Sequence, residues 1–213
     1  MINLGNVFVI GDSYSTYEGF IPEGYATYYP QNSAEFGVDK VEKTWWMSLV
    51  NETNSTLAQN NSWSGSTIGY TGYSGDCTNS SFITRFERLF EQGWFEENKI
   101  NTFFVFGGTN DSWSNAPLGE LKFADWSGED LFSVLPAICY FAYRLKKSLA
   151  DTRVVFIINT EIKTEIQEAI KTACKHFGAE FVALENISKA EGHPNKEGME
   201  QIKNQIISSL ERT

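Results

Sequence analysis

Four short runs in this chain are apolar at every position: Val7–Ile10, Phe103–Phe106, Val154–Ile158 and Phe181–Leu184. A fully apolar run of that length reads as a strand buried on both faces, the signature of a parallel sheet. A weaker fifth candidate covers Ser55 to Gln59. Between the runs lie amphipathic patterns. Trp45, Leu49 and Val50 share one helical face, as do Phe82, Phe86, Leu89 and Phe90. A long pattern runs from Glu129 to Ala150, another from Ile162 to His176, and the last from Lys196 to Leu210. Strands alternating with helices predict right-handed crossovers and an α/β fold, a three-layer α/β/α sandwich with about five parallel strands. No repeat, charge block or Pro-rich linker divides the chain, which predicts one domain over residues 1–213. Ligands of such sheets bind outside the C-terminal strand ends. The places to look are therefore just after Ile10, Asn60, Phe106 and Leu184.

The charge balance narrows the partners. Lys and Arg total 17 against 27 Asp and Glu, a net charge of −10. A phosphate backbone and an anionic membrane surface would both be repelled, so neither nucleic acid nor membrane is expected as a partner. No stretch is long enough to span a bilayer. Cys77, Cys139 and Cys174 form neither a disulfide framework nor a metal pattern. Reduced thiols suit a cytoplasmic protein. The first residues, Met1 to Asn6, carry no basic region, and the apolar run that follows is too short for a signal peptide. The six Asn-x-Ser/Thr triplets are then coincidental, a reading that a removed signal segment would reverse in favour of secretion.

Each expected strand end carries polar residues. After the first comes Gly11-Asp12-Ser13-Tyr14-Ser15. A Ser at this turn is exposed at the sheet edge, near a helix N-terminus that favours negative charge. The same residues are also good helix caps. After the second comes Asn60-Asn61-Ser62-Trp63-Ser64-Gly65, where Gly65 lets a backbone N–H approach a ligand. After the third comes Gly107-Gly108-Thr109-Asn110-Asp111, a turn whose Asn can donate a hydrogen bond. Of the two histidines, His176 falls in an amphipathic helix and reads as a surface residue. His193 follows the last strand, in Glu191-Gly192-His193-Pro194-Asn195, with Pro194 suited to the first turn of the final helix. Taken one by one, these are a cap, a loop, a turn and a solvated His. Taken together, they place a nucleophile (Ser13), a base (His193) and three donors on one rim: Ser13 N–H, Gly65 N–H and the Asn110 side chain. Those are the parts of acyl transfer through an oxyanion.

The four segments resemble the blocks of the SGNH hydrolases, or GDSL esterases and lipases. Gly11-Asp12-Ser13 matches the first, with Tyr14 where Leu is common. Ser64-Gly65 matches the second, Gly108-Thr109-Asn110-Asp111 the third, and His193-Pro194-Asn195 the last. The resemblance implies a flavodoxin-like sandwich that cleaves or transfers acyl esters with no metal or cofactor. One position departs from it. The family usually has an Asp three residues before the His, to orient the ring, and here that residue is Ala190. Glu191, a backbone carbonyl or an acid from another loop could replace it, giving a Ser-His dyad or a Glu-assisted triad. Asp12 is expected to shape the turn and Asp111 to fix the Asn110 loop.

Substrate clues come from aromatics. The segment Tyr14 to Asn32 carries Tyr17, Phe20, Tyr25, Tyr28 and Tyr29, and Trp63, Trp113 and Trp126 lie near the blocks. They either pack as a hydrophobic layer or wall a pocket for an acylated carbohydrate with a short acyl group, such as acetyl. No apolar lid points to a long-chain lipase. An acyltransferase on the same scaffold, and a carbohydrate-binding remnant without turnover, are the alternative readings. Metal-dependent hydrolysis is disfavoured because two histidines without His-x-x-x-His spacing make a poor site.

Overall fold

The computed structural model describes residues 2–31 and 33–212. Five strands form one sheet: β1 (Asn6–Gly11), β2 (Thr56–Asn60), β3 (Thr102–Phe106), β4 (Arg153–Ile158) and β5 (Glu180–Ala183). Their order is β2-β1-β3-β4-β5, and every pair is parallel. The long helices are α1 (Trp45–Glu52), α2 (Phe82–Glu91), α3 (Val134–Ser148), α4 (Thr164–Phe177) and α5 (Lys196–Leu210). This is the α/β/α sandwich that the hydrophobic pattern predicts, with every crossover long enough to carry a helix.

The sheet separates two cores. Phe8, Ile10, Phe103, Val105, Val154 and Phe156 face one side, where α2, α3 and α4 pack. Val7, Val9, Phe104, Phe106, Val155 and Ile157 face the other, against Trp45 and Trp46 of α1 and Ile202 and Ile206 of α5. The alternation within each run is the two-residue period of a strand with both faces covered. At roughly 25 cal/mol per Å² of apolar surface, this double burial is the main term that holds the strand ends in place.

The edge strand β2 alternates exposed and half-buried residues before its buried last residue, so its hydrophobic signal is weak. Two predicted elements differ in detail. The pattern from Glu129 to Ala150 is broken at Ser133, into a 3-10 turn (Glu129–Phe132) and α3. Pro194 does not open α5. Asn195 caps that helix by accepting the Gly198 N–H at 2.9 Å, and Pro194 lies before it in a two-stranded ribbon, Lys189–Ala190 with His193–Pro194.

Candidate active site

Ser13 follows β1 as the first residue of a one-turn 3-10 helix, Ser13–Ser15. Asp12 caps that turn: its Oδ1 accepts the Tyr14 N–H at 3.1 Å. Asp12 is fully buried, and burial pushes its carboxyl up to about 7. It thus shapes the turn, as expected. Ser13 is 5% exposed. Its Oγ lies 3.0 Å from Nε2 of His193, 180 residues away in sequence.

The other ring nitrogen fixes the roles in that pair. His193 Nδ1 is 3.3 Å from the backbone carbonyl of Glu191. A carbonyl can only accept, so Nδ1 carries the hydrogen and Nε2 presents its lone pair to the Ser13 hydroxyl. Glu191 therefore meets the ring through its main chain rather than its carboxylate. Local backbone explains why. Lys189–Ala190 and His193–Pro194 pair antiparallel, joined by Glu191 and Gly192 at φ 45° and 77°. Two successive left-handed residues make a type I′ hairpin turn, for which Gly is suited at the second place. The turn carries the Glu191 carbonyl back over the imidazole, and Ala190 stands directly opposite His193 in the ribbon register.

Burial holds the His193 pKa below the usual imidazole value, with the Lys189 ammonium acting in the same direction. The Glu191 carbonyl and carboxylate oppose both. The ring is consequently neutral, and able to accept a proton, near pH 7.

The ribbon is tied to the rest of the fold at three of its residues. The Tyr14 hydroxyl donates to the Gly192 carbonyl, and the Tyr29 hydroxyl donates to the Pro194 carbonyl at 2.6 Å. Lys189 Nζ donates to Asn159 Oδ1, Thr160 Oγ1 and Glu161 Oε2 at 3.0 to 3.1 Å, tying the ribbon to the end of β4. Sequence reasoning missed Lys189, because a single surface-type cation carries no pattern.

Gly65 is exposed at φ 82°, a conformation that glycine adopts without strain. Asn110 is the second residue of a short helix, Thr109–Trp113, just after β3, and is 4% exposed. Its Nδ2 donates to the Ser66 carbonyl at 2.8 Å, and its Oδ1 accepts from the Tyr73 hydroxyl at 3.4 Å. The amide is thereby held next to the Gly65 loop. Asp111 does a different job from the one expected. Its carboxylate accepts the N–H groups of Ile68 (3.0 Å) and Gly69 (3.2 Å), so it anchors the loop after β2 rather than its own.

Arg85 also escaped the sequence reading. It lies on the apolar stripe of α2, fully buried, and its guanidinium donates to the carbonyls of Gly11, Asn61 and Ser80 and to Ser66 Oγ. One cation thus ties the end of β1 to the loop after β2. The available signal was a charged residue three positions after Phe82, on the face that should be apolar.

The aromatic segment divides. Tyr29 and Tyr17 are core residues, Tyr25 stacks on Trp63, and Tyr28 stacks on His193. Asn32, its last residue, lies outside the described residues. Trp113 packs edge-on to His193 and is 39% exposed. Trp126 sits elsewhere, among Tyr140, Tyr143 and Phe177. Among the described residues no His, Cys, Asp and Glu group could hold a metal, and no helix is long and apolar enough to cross a membrane.

The GDSL-like lipase/acylhydrolase family matches residues 5–210. A structure from Bacteroides uniformis, assigned as a GDSL-like lipase, is 37% identical, covers 98% of this chain and 97% of its own, and superposes with a TM-score of 0.89. One from Bacteroides ovatus with the same assignment is 35% identical over 98% of this chain and 99% of its own, also at 0.89. An acetyl xylan esterase from Butyrivibrio proteoclasticus shares the fold at 15% identity and a TM-score of 0.62, over all of this chain and 64% of its own. No curated protein matches the chain.

Proposed function

The chain belongs to the GDSL-like lipase/acylhydrolase family and is an ester hydrolase, and from that premise we propose that it cleaves small acyl esters of carbohydrates through a Ser13–His193 dyad. The observation that carries the dyad is the 3.0 Å approach of His193 Nε2 to Ser13 Oγ, with Nδ1 committed to a main-chain carbonyl. Ser13 Oγ attacks the ester carbonyl while Nε2 takes its proton. The oxyanion is held by the N–H groups of Ser13 and Gly65 and by Asn110 Nδ2. His193 returns the proton to the leaving alkoxide. Water, deprotonated by the same nitrogen, then attacks the acyl-enzyme, and Ser13 leaves with the proton.

The Glu191 carbonyl takes over the orienting half of an acid's role, since it selects the tautomer. It carries only a partial negative charge, so it supplies less stabilisation to the imidazolium than a carboxylate would. Two exposed aromatics support a carbohydrate leaving group: Tyr73, 57% exposed, hydrogen-bonds Asn110, and Trp113 packs on His193. Flat apolar rings beside polar donors suit a sugar face. The acetyl xylan esterase of the same fold supports the same reading.

The test is hydrolysis of p-nitrophenyl acetate and of acetylated sugars by the wild type, Ser13→Ala and His193→Ala. Turnover that falls to background in both variants supports the dyad. Equal turnover in all three rejects it. Release of acetate from the sugars separates a carbohydrate esterase from an enzyme limited to simple esters.

A further inference from the structure

We propose that Tyr28, with Tyr14 and Trp113 beside it, is an aromatic cage that fixes the His193 ring and stabilises its protonated form, where a triad would use a carboxylate. The proposal rests on the Ser13–His193 reading, but its decisive measurement does not need activity. The ring centroids of Tyr28 and His193 are 3.7 Å apart and their planes differ by 8°, a full face-to-face stack. Tyr14 lies at 5.3 Å and 56°, and Trp113 at 5.9 Å and 77°. Three aromatic side chains, two from the segment Tyr14 to Asn32 and one from the short helix after β3, thus surround one imidazole.

Geometry gives the cage two effects. Rotation of the imidazole about its Cβ–Cγ bond would drive its edge into the Tyr28 face, so the stack holds Nε2 on Ser13 and Nδ1 on the Glu191 carbonyl. A neutral imidazole gains little from stacking parallel to a phenol. The imidazolium formed when Nε2 takes the Ser13 proton gains more, because an aromatic face is negative at its centre. The gain therefore appears when the charge does, and it ends when the proton passes to the leaving alkoxide.

The charged surroundings leave this task to Tyr28. Lys189 Nζ already sits 5.6 Å from the centre of the Tyr14 ring, so that face is occupied by another cation. Lys189 disfavours the imidazolium, and its own charge is partly met by Glu161. Glu191, on the same ribbon, favours the imidazolium. Glu35, from the short helix Ser33–Phe36, influences Tyr28 rather than His193. Opposite His193 in the ribbon stands Ala190, which offers no charge. Tyr28 itself is half-buried and stays a neutral phenol, its pKa raised above the usual value by burial.

The experiment is an NMR titration of the His193 ring, made unambiguous by His176→Gln because the chain has only 2 histidines. It compares Tyr28 with Tyr28→Phe, which keeps the ring, and with Tyr28→Leu and Tyr28→Met, which keep bulk without it. Two bulky variants guard against one that misfolds. Tyr28→Phe should titrate as the wild type does. Leu and Met should lower the midpoint by about one pH unit and kcat by about tenfold, the size of a partly desolvated cation–π contact. Adding Ala190→Asp to Tyr28→Leu should restore both, since the new carboxylate stands across the ribbon from His193. The proposal is overturned if Leu and Met titrate where Phe does. It is equally overturned if they titrate higher, because Tyr28 would then only exclude water. Ser13-independent ester turnover would sink the dyad instead, while leaving the titration readable.

Discussion

The two halves of the site are held in different ways. The half proposed to supply the nucleophile and the oxyanion donors sits on strand ends and on buried polar ties. Arg85 joins the end of β1 to the loop after β2, and Asp111 joins that loop to the end of β3. The base half is a six-residue ribbon, Lys189 to Pro194, which is part of no sheet beyond its own two strands. Its position comes from side chains reaching in from elsewhere: Tyr14, Tyr29, Tyr28 and the pocket around Lys189. One half inherits its precision from the fold. The other obtains it from clamps that could be removed singly while the fold remains.

The difference makes separable predictions. Short of removing Ser13 or His193 themselves, removing an oxyanion donor should cost the most in rate. Asn110→Ala should lower kcat by about 10² to 10³ with little change in KM, as loss of one oxyanion donor does. Steady-state kinetics would check this, and an effect confined to KM would move Asn110 into ground-state binding.

Removing a tie from the first half should cost stability. Arg85→Met strands the buried Asn61 carbonyl and takes a donor from the Gly11 carbonyl, which keeps the Trp63 N–H, and from the half-buried Ser80 carbonyl. A loss of about 3 kcal/mol is expected, read by urea unfolding. A loss below about 1 kcal/mol would mean that the loops hold themselves. Removing a clamp from the second half should behave differently. Tyr29→Phe deletes one hydrogen bond to Pro194, worth about 1 kcal/mol, and should lower activity through the placement of His193 more than it lowers Tm.

The smallest effects concern pH. Burial lowers the His193 pKa, so the acid limb of kcat/KM should fall below the ordinary imidazole value of about 6.5. A midpoint above that value would show that the groups favouring the imidazolium, the Glu191 carbonyl and carboxylate among them, outweigh burial. Burial raises Asp12 to about 7 and Asp111 to about 6, so both bind a proton in the folded state at pH values where the unfolded chain has released it. Their contribution to stability is present below about pH 4 and is lost as pH rises through 6 and 7. Tm should therefore decline over that window in the wild type, and decline less in Asp12→Asn, which keeps the cap to Tyr14.

Much of the fold was legible because double-sided burial leaves unbroken apolar runs, as at Phe103–Phe106 and Val154–Ile158. The edge strand β2 was faint because one of its sides faces water. Ser13, Gly65, Asn110 and His193 could be singled out because each follows a strand end. The ribbon around His193 could not be read. Its turn depends on Glu191 taking a left-handed conformation, which nothing about a glutamate announces. For the same reason the sequence left the orienting group open between the Glu191 side chain, a backbone carbonyl and an acid from another loop, whereas in the structure the contact is made by the Glu191 carbonyl. Arg85 and Lys189 were invisible because their roles lie in partners scattered along the chain.

The central claim is that the reactive pair works without a side-chain carboxylate. The direct measurement is ester turnover by Glu191→Gln beside His193→Ala. Glu191→Gln keeps the main-chain carbonyl and the ribbon turn, so it should retain activity within about threefold, a loss of roughly 0.7 kcal/mol at most, while His193→Ala falls to background. If Glu191→Gln collapses as far as His193→Ala, the carboxylate is the orienter, and the dyad account is wrong.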